Sequence, residues 1–542
     1  MELKLEKLKS YKCRPGPLLL IIMDGIGIGP DDERNAVLAA RTPVLDRLLK
    51  LPMQWRLCAH GAAVGLPTEE DMGNSEVGHN AIGAGRVFDQ GAKLVNKKID
   101  NGQLFETHLW GEIVDRGKKG KTVHFIGLLS DGNVHSHIDH LHALINNCGE
   151  NGLKRVCVHT LLDGRDVGER TALGYIDKTE ALLDRWNSGS GLDYRIASGG
   201  GRMKVTMDRY KADWDIVKRG WNAHVHGIGR KFSSASEAVR SMYDEDPSVN
   251  DQFLDAFVIV SGNNEPVGTI ENGDVVVFFN FRGDRAIEIS SAFEKQDFSE
   301  FDRGNVPDVL FAGMLEYDGD LQIPKKYLVD PPHIDRTVSE YLCAEQVTSF
   351  AISETQKYGH VTYFWNGNKS GYIDKSLETY VEIPSDRIQF EKKPEMKAYE
   401  ITEKTIELLR SGKYRFGRVN FANGDMVGHS GVYEAAVSAV ETVDVCVGKL
   451  VEVVSSLNGI SIVTADHGNA DEMYYVKDGK KVPITSHTLN PVPFIIIDPL
   501  FRNDYAKSEI EKPGLSNIAA TILNLLGFEK VADYDASLIE IK

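Results

Sequence analysis

Short apolar runs recur along the chain, and each is followed at once by a polar cluster. Examples are LLLIIM before Asp24-Gly25, TVHFIGLL before SDGNVHSH, RVCVHTLL before DGRD, VVVFF before NFRGDR, GRVNFA before NGDMVGH, and GISIVTA before DHGN. Continuous apolar runs of this length are typical of strands buried on both faces. Helix-like stretches such as 435–457 lie between them. The alternation predicts α/β domains with mostly parallel sheets.

The polar clusters lie where such a fold places its ligands. Parallel sheets bind ligands beyond the carboxyl ends of their strands, and that is where these clusters fall. The chain has 542 residues, more than a single hydrophobic core usually serves. We therefore expect two or more α/β domains, with the chemistry at their strand ends.

Charge and composition narrow the possible partners and location. The net charge of −17 disfavours nucleic acid or an anionic membrane as a partner, although local arginines could still bind an anionic substrate. The apolar run Leu18–Met23 is too short to span a bilayer, and the N-terminus lacks the long apolar core of a secretion signal. The six cysteines are scattered without a C-x-x-C pair. We expect a reduced, cytoplasmic, monomeric protein.

Three acids and three histidines form the first candidate site: Asp24, Asp425, Asp466, His429, His467 and His487. Asp425 and His429 are spaced i,i+4 in N-G-D-M-V-G-H, and Asp466 and His467 are adjacent after a strand. Mixed carboxylate and imidazole ligands suit Mn²⁺, Mg²⁺ or Zn²⁺, and this number is enough for a binuclear site. Any one of them alone is more often an ordinary loop residue or helix cap, but together they favour a metal site.

Ser75, in D-M-G-N-S-E-V-G-H-N, is the candidate nucleophile. The pattern predicts the start of a helix, and helix N-termini stabilise phosphate through free N–H groups and the helix dipole. An isolated serine at such a place is more often a simple N-cap. The metal ligands favour the nucleophile, because a serine hydroxyl needs a base or a metal to lower its pKa.

Arginines follow several of the predicted strands and could bind an anion: Arg165, Arg202, Arg209, Arg282 and Arg285. The guanidinium fork binds carboxylate and phosphate bidentately. Taken singly, each is more often a partner in a surface salt bridge.

The run H-S-H-I-D-H-L-H contains His135, His137, His140 and His142. It could be a metal site of its own, or one polar loop histidine followed by a helix that carries solvated ones. We favour the second interpretation for three of the four.

Taken together, the motifs resemble the cofactor-independent phosphoglycerate mutase family. The matching strings are M-D-G, G-N-S-E-V-G-H, S-D-G-N-V-H-S-H, D-G-R-D, G-G-G-R, F-R-G-D-R, N-G-D-M-V-G-H, T-A-D-H-G-N-A and T-S-H-T. They occur in order from about residue 17 to residue 500 and so cover nearly the whole chain. G-G-G-R-M-K-V-T-M-D-R-Y and F-W-N-G-N-K-S-G-Y resemble the longer form typical of plants and trypanosomatids.

The resemblance implies an alkaline-phosphatase-superfamily protein with two α/β domains. A discontinuous, phosphatase-like metal domain is expected at 1–90 plus 331–542, and an inserted transferase domain that binds glycerate at 91–330. The implied cofactors are two divalent metal ions, with Mn²⁺ expected and Mg²⁺ or Co²⁺ as alternatives. No 2,3-bisphosphoglycerate is expected, since the R-H-G motif of the other mutase class does not occur in the sequence.

The resemblance also implies a role for each site residue. One metal takes Asp425, His429 and His487, and the other takes Asp24, Ser75, Asp466 and His467. Substrate is held by His135, Arg165, Asp166, Arg202, Arg209, Arg282, Arg285 and Lys357. Ser75 is the implied nucleophile, Lys357 neutralises phosphoryl oxygens, and Asp166 is placed as the general acid and base. The family's proline in F-R-x-D-R is Gly283 here.

The implied reaction is interconversion of 3-phosphoglycerate and 2-phosphoglycerate through a phosphoserine, a step of glycolysis and gluconeogenesis. A metal-dependent phosphomonoesterase is the main alternative, but it needs no glycerate-binding domain. A non-enzymatic, acidic metal-binding protein is a third possibility, and it leaves Ser75 and the arginines without a role.

Overall fold

The computed structural model describes residues 3–66, 68–189, 191–208, 213–318, 322–330, 332, 334–386, 388–477, 480–484 and 486–542. Its contacts divide the chain into two compact units. Unit 1 consists of Met1–Gln90 and Pro332–Lys542, and unit 2 consists of Gly91–Pro331. Unit 2 therefore ends at residue 331, one residue later than predicted, and it begins at residue 91 as predicted. The roles predicted for the two parts stay predictions.

The secondary structure follows the predicted alternation of strands and helices. The first segment of unit 1 contains β1 (Leu18–Met23), α1 (Ala36–Ala39), α2 (Pro43–Leu48), β2 (Gln54–Leu57) and α3 (Ser75–Ala84). Unit 2 contains α4 (Gly91–Asp100), α5 (His108–Lys118), β3 (Val123–Leu128), α6 (Ile138–Glu150), β4 (Arg155–Leu162), α7 (Ala172–Asn187), β5 (Asp193–Gly201), α8 (Trp214–His226), β6 (Arg230–Phe232), α9 (Ala235–Glu245), β7 (Phe257–Ile259), β8 (Val275–Phe278), α10 (Ile287–Glu294) and β9 (Leu310–Gly313).

The second segment of unit 1 contains α11 (Val338–Ala344), β10 (Ser349–Glu354), α12 (Thr355–Gly359), β11 (Glu378–Ile383), α13 (Ala398–Arg410), β12 (Phe416–Phe421), α14 (Asn423–Gly428), α15 (Tyr433–Ser456), β13 (Ile460–Thr464), β14 (Tyr474–Lys477), β15 (Lys480–Pro483), β16 (Val492–Ile497), β17 (Tyr505–Lys507), α16 (Asn517–Leu525) and β18 (Ile539–Ile541). Single 3-10 turns cover Gly61–Val64, Gln103–Glu106, Asp251–Phe253 and Phe390–Lys392, and a π-helical turn covers His360–Phe364. Among the described residues, no helix is both long and apolar enough to cross a membrane.

Unit 1 is built around a seven-stranded sheet in the order β11-β10-β12-β1-β13-β16-β2. The first five strands are parallel, and β16 is antiparallel to both of its neighbours. Strand β1 is apolar throughout because both of its faces are buried. Leu18, Leu20 and Ile22 pack into the core on one face, and the alternate residues pack into the core on the other.

Unit 2 is built around a second seven-stranded sheet, in the order β6-β7-β5-β4-β3-β8-β9. Only the β5–β7 pair among these strands is antiparallel. Both faces are again covered: Val123 and Phe125 of β3 pack on one side, and Ile126 and Leu128 on the other. The prediction of α/β units with mostly parallel sheets is confirmed.

Candidate active site

Four neighbouring parallel strands of unit 1 end in the predicted site residues. Along the sheet order β10-β12-β1-β13, Lys357 lies in α12 directly after β10, and Asp425 lies in α14 after β12. Asp24 follows β1, and Asp466 and His467 follow β13. Because these strands are adjacent and parallel, residues far apart in sequence meet at one edge of the sheet.

Asp425, His429 and His487 form one compact group. Asp425 Oδ1 lies 3.1 Å from His429 Nε2 and 3.1 Å from His487 Nε2, and the two imidazole nitrogens are 3.0 Å apart. Three potential ligand atoms this close together are spaced so that one cation could contact all of them. Asp425, His467 and His487 also satisfy the distances of a metal site, so His467 borders this group.

Asp24, Ser75, Asp466 and His467 form the second group. His467 Nε2 lies 2.9 Å from Ser75 Oγ, 3.4 Å from Asp24 Oδ1 and 3.8 Å from Asp466 Oδ2. Asp24, Asp466 and His467 have ligand atoms that all lie within 4.8 Å of one another. The structure thus brings together all seven residues that the sequence assigns to metals.

Ser75 is the first residue of α3, and it is not the residue that caps this helix. The N-cap is Asn74, whose side chain accepts a hydrogen bond of 2.9 Å from the backbone N–H of Val77. The hydroxyl of Ser75 instead lies 2.5 Å from Lys357 Nζ, 2.9 Å from His467 Nε2 and 3.2 Å from Asp24 Oδ1. The simple N-cap role is therefore wrong for Ser75.

The charges of this cluster fit divalent cations. Asp24, Asp425 and Asp466 are all at most 2% exposed, and the Lys357 ammonium lies 3.2 Å from Asp24 Oδ1 and 2.7 Å from Asp425 Oδ2. Three buried carboxylates and one ammonium leave two negative charges to be compensated, which is costly away from water. Burial and the neighbouring Asp466 raise the pKa of Asp24 to about 6. This excess of negative charge therefore fits the binding of a divalent cation.

Several supporting residues of this site escaped the sequence analysis. Asn420 donates to Asp24 Oδ2 at 2.8 Å, and Asn469 donates to Asp425 Oδ1 at 3.1 Å, so each amide fixes one carboxylate. His79 Nδ1 lies 2.8 Å from the backbone oxygen of Ser75. Asn420 carried a signal: together with Arg418, it is a polar residue inside the buried strand GRVNFA. Asn469 lies in DHGN and His79 lies in GNSEVGH, where other residues of the same motifs were assigned to the site.

Unit 2 repeats the pattern with residues of another kind. Along its sheet order β5-β4-β3-β8, Arg202 follows β5 directly, and Arg165 and Asp166 follow β4. His135 lies between β3 and α6, while Arg282 and Arg285 lie between β8 and α10. Four adjacent parallel strands again end at one edge, which here carries guanidinium groups.

Asp163 organises the loop after β4, a role that the sequence did not reveal. Its Oδ1 accepts from Arg202 Nη1 at 2.8 Å and from the backbone N–H of Asp166 at 3.1 Å, and its Oδ2 accepts from Ser130 Oγ at 2.6 Å. Arg202 Nη1 also donates to Asp166 Oδ2. Burial favours a higher pKa for Asp163, but Arg202 and these hydrogen bonds outweigh it and hold the pKa below its usual value.

The F-R-G-D-R loop is tied to His135. Asp284 Oδ1 lies 3.4 Å from His135 Nδ1 and 3.4 Å from Arg282 Nε, and the backbone N–H of Phe281 donates to the His135 oxygen at 2.8 Å. Arg285 Nη1 donates to the backbone oxygen of Met207 at 2.5 Å. This links the loop after β8 to the segment after β5.

The remaining predictions have mixed outcomes. Arg165 is exposed, and its backbone N–H donates to Asp163 at 3.2 Å. Arg209 lies outside the described residues.

The expectation of solvated helix histidines is wrong for His140, which is 2% exposed and bonds to Asn96 because α6 turns this face toward α4. At Gly283, a Cβ would come within 2.6 Å of the Tyr317 backbone oxygen.

Known proteins are similar to this chain over nearly its whole length. The family model described as the metalloenzyme superfamily matches residues 16–530. The 2,3-bisphosphoglycerate-independent phosphoglycerate mutase of Trypanosoma brucei brucei is 50% identical, covering 98% of this chain and 99% of its own. Mutase 1 of Arabidopsis thaliana is 49% identical, covering 97% and 96%.

A solved structure extends the likeness to the fold. The crystal structure of Leishmania mexicana phosphoglycerate mutase at low cobalt concentration is 49% identical and superposes with a TM-score of 0.71, covering 99% of this chain and 100% of that one. The metalloenzyme match supports divalent metal binding, in agreement with the donor set. The chain belongs to the family of 2,3-bisphosphoglycerate-independent phosphoglycerate mutases, isomerases of the metalloenzyme superfamily.

Proposed function

We propose that this chain interconverts 3-phosphoglycerate and 2-phosphoglycerate through a phosphoserine at Ser75, without 2,3-bisphosphoglycerate. The observation that carries the proposal is the set of contacts of Ser75 Oγ. An ammonium, an imidazole and a carboxylate all lie within 3.2 Å of it. A hydroxyl in such surroundings is placed to lose its proton and attack an electrophile.

Two divalent ions complete the site in this proposal. Asp425, His429 and His487 would hold one, and Asp24, Ser75, Asp466 and His467 would hold the other. Mn²⁺ is the proposed native ion because it accepts carboxylate and imidazole together. When bound, the ions supply positive charge that lowers the pKa of a hydroxyl and neutralises phosphoryl oxygens.

The residues around Ser75 orient the attack. Because Ser75 begins α3, its hydroxyl lies beside the free N–H groups and the positive dipole end of the helix, which favour a phosphate. Lys357 donates to Ser75 Oγ and would stabilise both the alkoxide and the phosphoryl oxygens. His467 Nδ1 lies 3.2 Å from the Gly468 oxygen, so a proton held there would leave the Nε2 lone pair beside Ser75 available to a metal ion.

The arginine-rich edge of unit 2 would hold the glycerate. Arg202 and Arg209 would bind its carboxylate and hydroxyls, and Arg282 and Arg285 would neutralise phosphoryl oxygens. Asp166 would move protons to and from the two hydroxyls of glycerate. The glycerate then reorients, and its other hydroxyl attacks the phosphoserine. In this proposal the enzyme works as a cytoplasmic monomer on a small molecule, without nucleic acid or membrane, in keeping with a net charge of −17.

The first test is a mutase assay without added 2,3-bisphosphoglycerate, before and after chelation. We expect activity before chelation, loss after it, and the fullest recovery with Mn²⁺ among Mn²⁺, Mg²⁺, Co²⁺ and Zn²⁺. Full activity in the chelated protein would overturn the metal requirement. Activity only with added bisphosphoglycerate would overturn the proposed class of mechanism.

The second test assigns the nucleophile. Incubation with phosphoglycerate labelled in its phosphoryl group, followed by acid quench, should leave label on the wild type and none on Ser75→Ala. The matched control is Ser461→Ala, because Ser461 is 1% exposed on β13 and its hydroxyl has no partner among the described residues. Label retained by Ser75→Ala would move the nucleophile to another residue.

A further inference from the structure

A continuous line of hydrogen-bonding side chains crosses unit 2, and we call it the histidine network. It consists of Asp274, His124, His159, Ser198, His224 and Thr206. The successive distances are 3.3 Å (Asp274 Oδ2 to His124 Nε2), 3.0 Å (His124 Nδ1 to His159 Nε2), 2.7 Å (His159 Nδ1 to Ser198 Oγ), 2.7 Å (Ser198 Oγ to His224 Nδ1) and 2.9 Å (His224 Nε2 to Thr206 Oγ1).

The network lies inside an apolar core. The five members other than Asp274 are at most 1% exposed, and Asp274 is 5% exposed. His124 lies two residues before Ile126 on β3, and His159 lies two residues before Leu161 on β4. Residues two positions apart share a face of a strand, so both rings lie on the sheet face that packs against Trp221 of α8. Apolar side chains would fill this space without needing polar partners. Polar groups in a row here call for a role beyond packing.

The anchor at Asp274 sets the direction of every hydrogen bond. Burial lowers the pKa of His124 and of His159, and it lowers that of His224 to about 3, so each neutral ring carries one N–H. The Asp274 carboxylate can only accept, which places the proton of His124 on Nε2. His124 Nδ1 must then accept from His159 Nε2.

The same logic fixes the other end of the network. His159 Nδ1, left without a proton, accepts from the hydroxyl of Ser198. Ser198 Oγ in turn accepts from His224 Nδ1, and His224 Nε2 accepts from the hydroxyl of Thr206. All donors therefore point toward Asp274, and Thr206 is the last donor in the line.

Thr206 holds a strained turn next to the arginines of unit 2. Its φ is 68°, a value that a β-branched residue rarely adopts. Arg202 begins this turn, and Met207, the residue after Thr206, accepts from Arg285 through its backbone oxygen. The turn also fits closely on α8, since a Cβ at Gly220 would come within 1.9 Å of Thr206 Oγ1.

We propose that the histidine network is a positioning device: it holds Thr206 in its left-handed conformation and thereby places Arg202 and Arg285 for substrate. His224 is the positioning residue that acts directly on Thr206, and Asp274 sets the proton order. The role of the two arginines rests on the proposed function. The proton order of the network does not, so the two can fail separately.

Neutron diffraction of the perdeuterated full-length protein tests the proton order. We expect deuterium on Nε2 of His124, on Nε2 of His159 and on Nδ1 of His224. In Asp274→Leu no acceptor is left at this position for His124 Nε2, so the proton position should change at His224 as well as at His124. A doubly protonated ring, a reversed order in the wild type, or no response at His224 would overturn the network as a coupled unit.

Kinetics of Thr206 variants test the positioning role. Thr206→Val keeps the shape and removes the hydroxyl, so KM for phosphoglycerate should rise about 3- to 10-fold while kcat changes less, as for loss of one neutral hydrogen bond. Thr206→Ser should restore KM. Thr179→Val is the matched control, because Thr179 is fully buried on α7 and donates to the Tyr175 oxygen.

An unchanged KM in Thr206→Val, or a Thr206→Ser variant as impaired as Thr206→Val, would overturn the positioning role. Should the wild type lack mutase activity, the crystal structure of Thr206→Val decides. Displacement of Arg202 from Asp163, or of the Met207 oxygen from Arg285, supports the role. An unmoved turn overturns it.

Discussion

In both units, four neighbouring parallel strands end in a cluster of polar side chains, and the two clusters differ in how their charges are balanced. In unit 1, three buried carboxylates meet one ammonium, that of Lys357. In unit 2, Arg202 meets Asp163 and Asp166, Arg282 lies 3.4 Å from Asp284, and Arg285 has the Met207 oxygen. At the edge of unit 1 the described carboxylates outnumber the Lys357 ammonium, while at the edge of unit 2 the guanidinium groups have acceptors from the chain itself.

This difference indicates how each edge is organised for function. In the proposed function the carboxylates of unit 1 would bind divalent ions from solution, so the geometry of that edge would depend on metal. The guanidinium groups of unit 2 are oriented by carboxylates and backbone oxygens of the chain itself, so that edge is organised before substrate arrives. Chelation should therefore disturb unit 1 and leave the unit 2 contacts intact.

The largest effect is expected from Lys357→Met in unit 1. It removes the Lys357 ammonium that contacts Ser75 and leaves three buried carboxylates near one another. We expect kcat to fall about 1,000- to 100,000-fold, the range for losing a cation that stabilises transferring phosphoryl charge. A steady-state mutase assay with saturating Mn²⁺ measures kcat, and rapid quench measures formation of the labelled phosphoenzyme.

The matched control is Lys369→Met. Lys369 pairs with Glu340 at 2.6 Å on the partly exposed side of the same unit, and such a pair contributes only about 0.2–1 kcal/mol. Its kcat should stay close to that of the wild type. A Lys357→Met variant that loses less than about tenfold would place the cationic role elsewhere, since even one such stabiliser is worth more than that.

A smaller effect is expected from Asp166→Asn in unit 2, and it separates the two edges. Loss of a general acid and base costs about 100- to 10,000-fold in transfer to and from glycerate. Ser75 and the metal ligands are untouched, so slow release of free phosphate should persist and become the larger share of turnover. Mutase product and phosphate are measured in one reaction.

Asp177→Asn is the control for that substitution. Asp177 is an exposed carboxylate on α7 of the same unit, and it accepts a hydrogen bond from Ser236. It should leave both products at wild-type levels. If Asp166→Asn lost mutase and phosphate release in equal proportion, separate roles for the two edges would be wrong.

Much of the fold was accessible from the sequence because buried parallel strands are apolar at every position. LLLIIM became β1 and RVCVHTLL became β4 with the same bounds, and the helix expected at 435–457 is α15. The order of strands in each sheet was not accessible. It depends on which strands pair across long crossovers, as when β1 lies between β12 and β13.

Some residues of the two edges could be identified from the sequence, and others could not. Residues placed directly at strand ends, such as Asp24 and Arg202, could be identified because the edge of a parallel sheet is where ligands bind. Asp163 could not be distinguished from its neighbour Asp166, since D-G-R-D does not say which carboxylate orders the loop. His124 and His159 were missed because they lie 35 positions apart inside apolar strands and become partners only when β3 pairs with β4.

The smallest effect is a pH dependence confined to the edge of unit 1. Burial, together with Asp466, raises the pKa of Asp24 to about 6, so below pH 6 a metal must displace a proton. Affinity of the metal-free protein for Mn²⁺ should then rise about tenfold per pH unit toward pH 6 and level off above it. Burial and the nearby His467 lower the pKa of His487 to about 4, so it is already neutral in this range.

Titration calorimetry in buffers of different ionisation enthalpy provides the measurement, with about one proton released per chain at pH 5 and almost none at pH 7.5. The sign is set by the raised pKa. The acid form of Asp24 is favoured in the metal-free fold, so its stabilising contribution is greatest at low pH and is lost as the pH rises through 6.

Asp444→Asn is the control, because burial also raises the pKa of Asp444 but its carboxylate accepts from Val44 and Leu45, away from the metal ligands. In that variant the pH dependence of Mn²⁺ affinity should stay centred near pH 6. If the wild-type pH dependence were instead centred near pH 4, the proton would belong to His487 and not to Asp24.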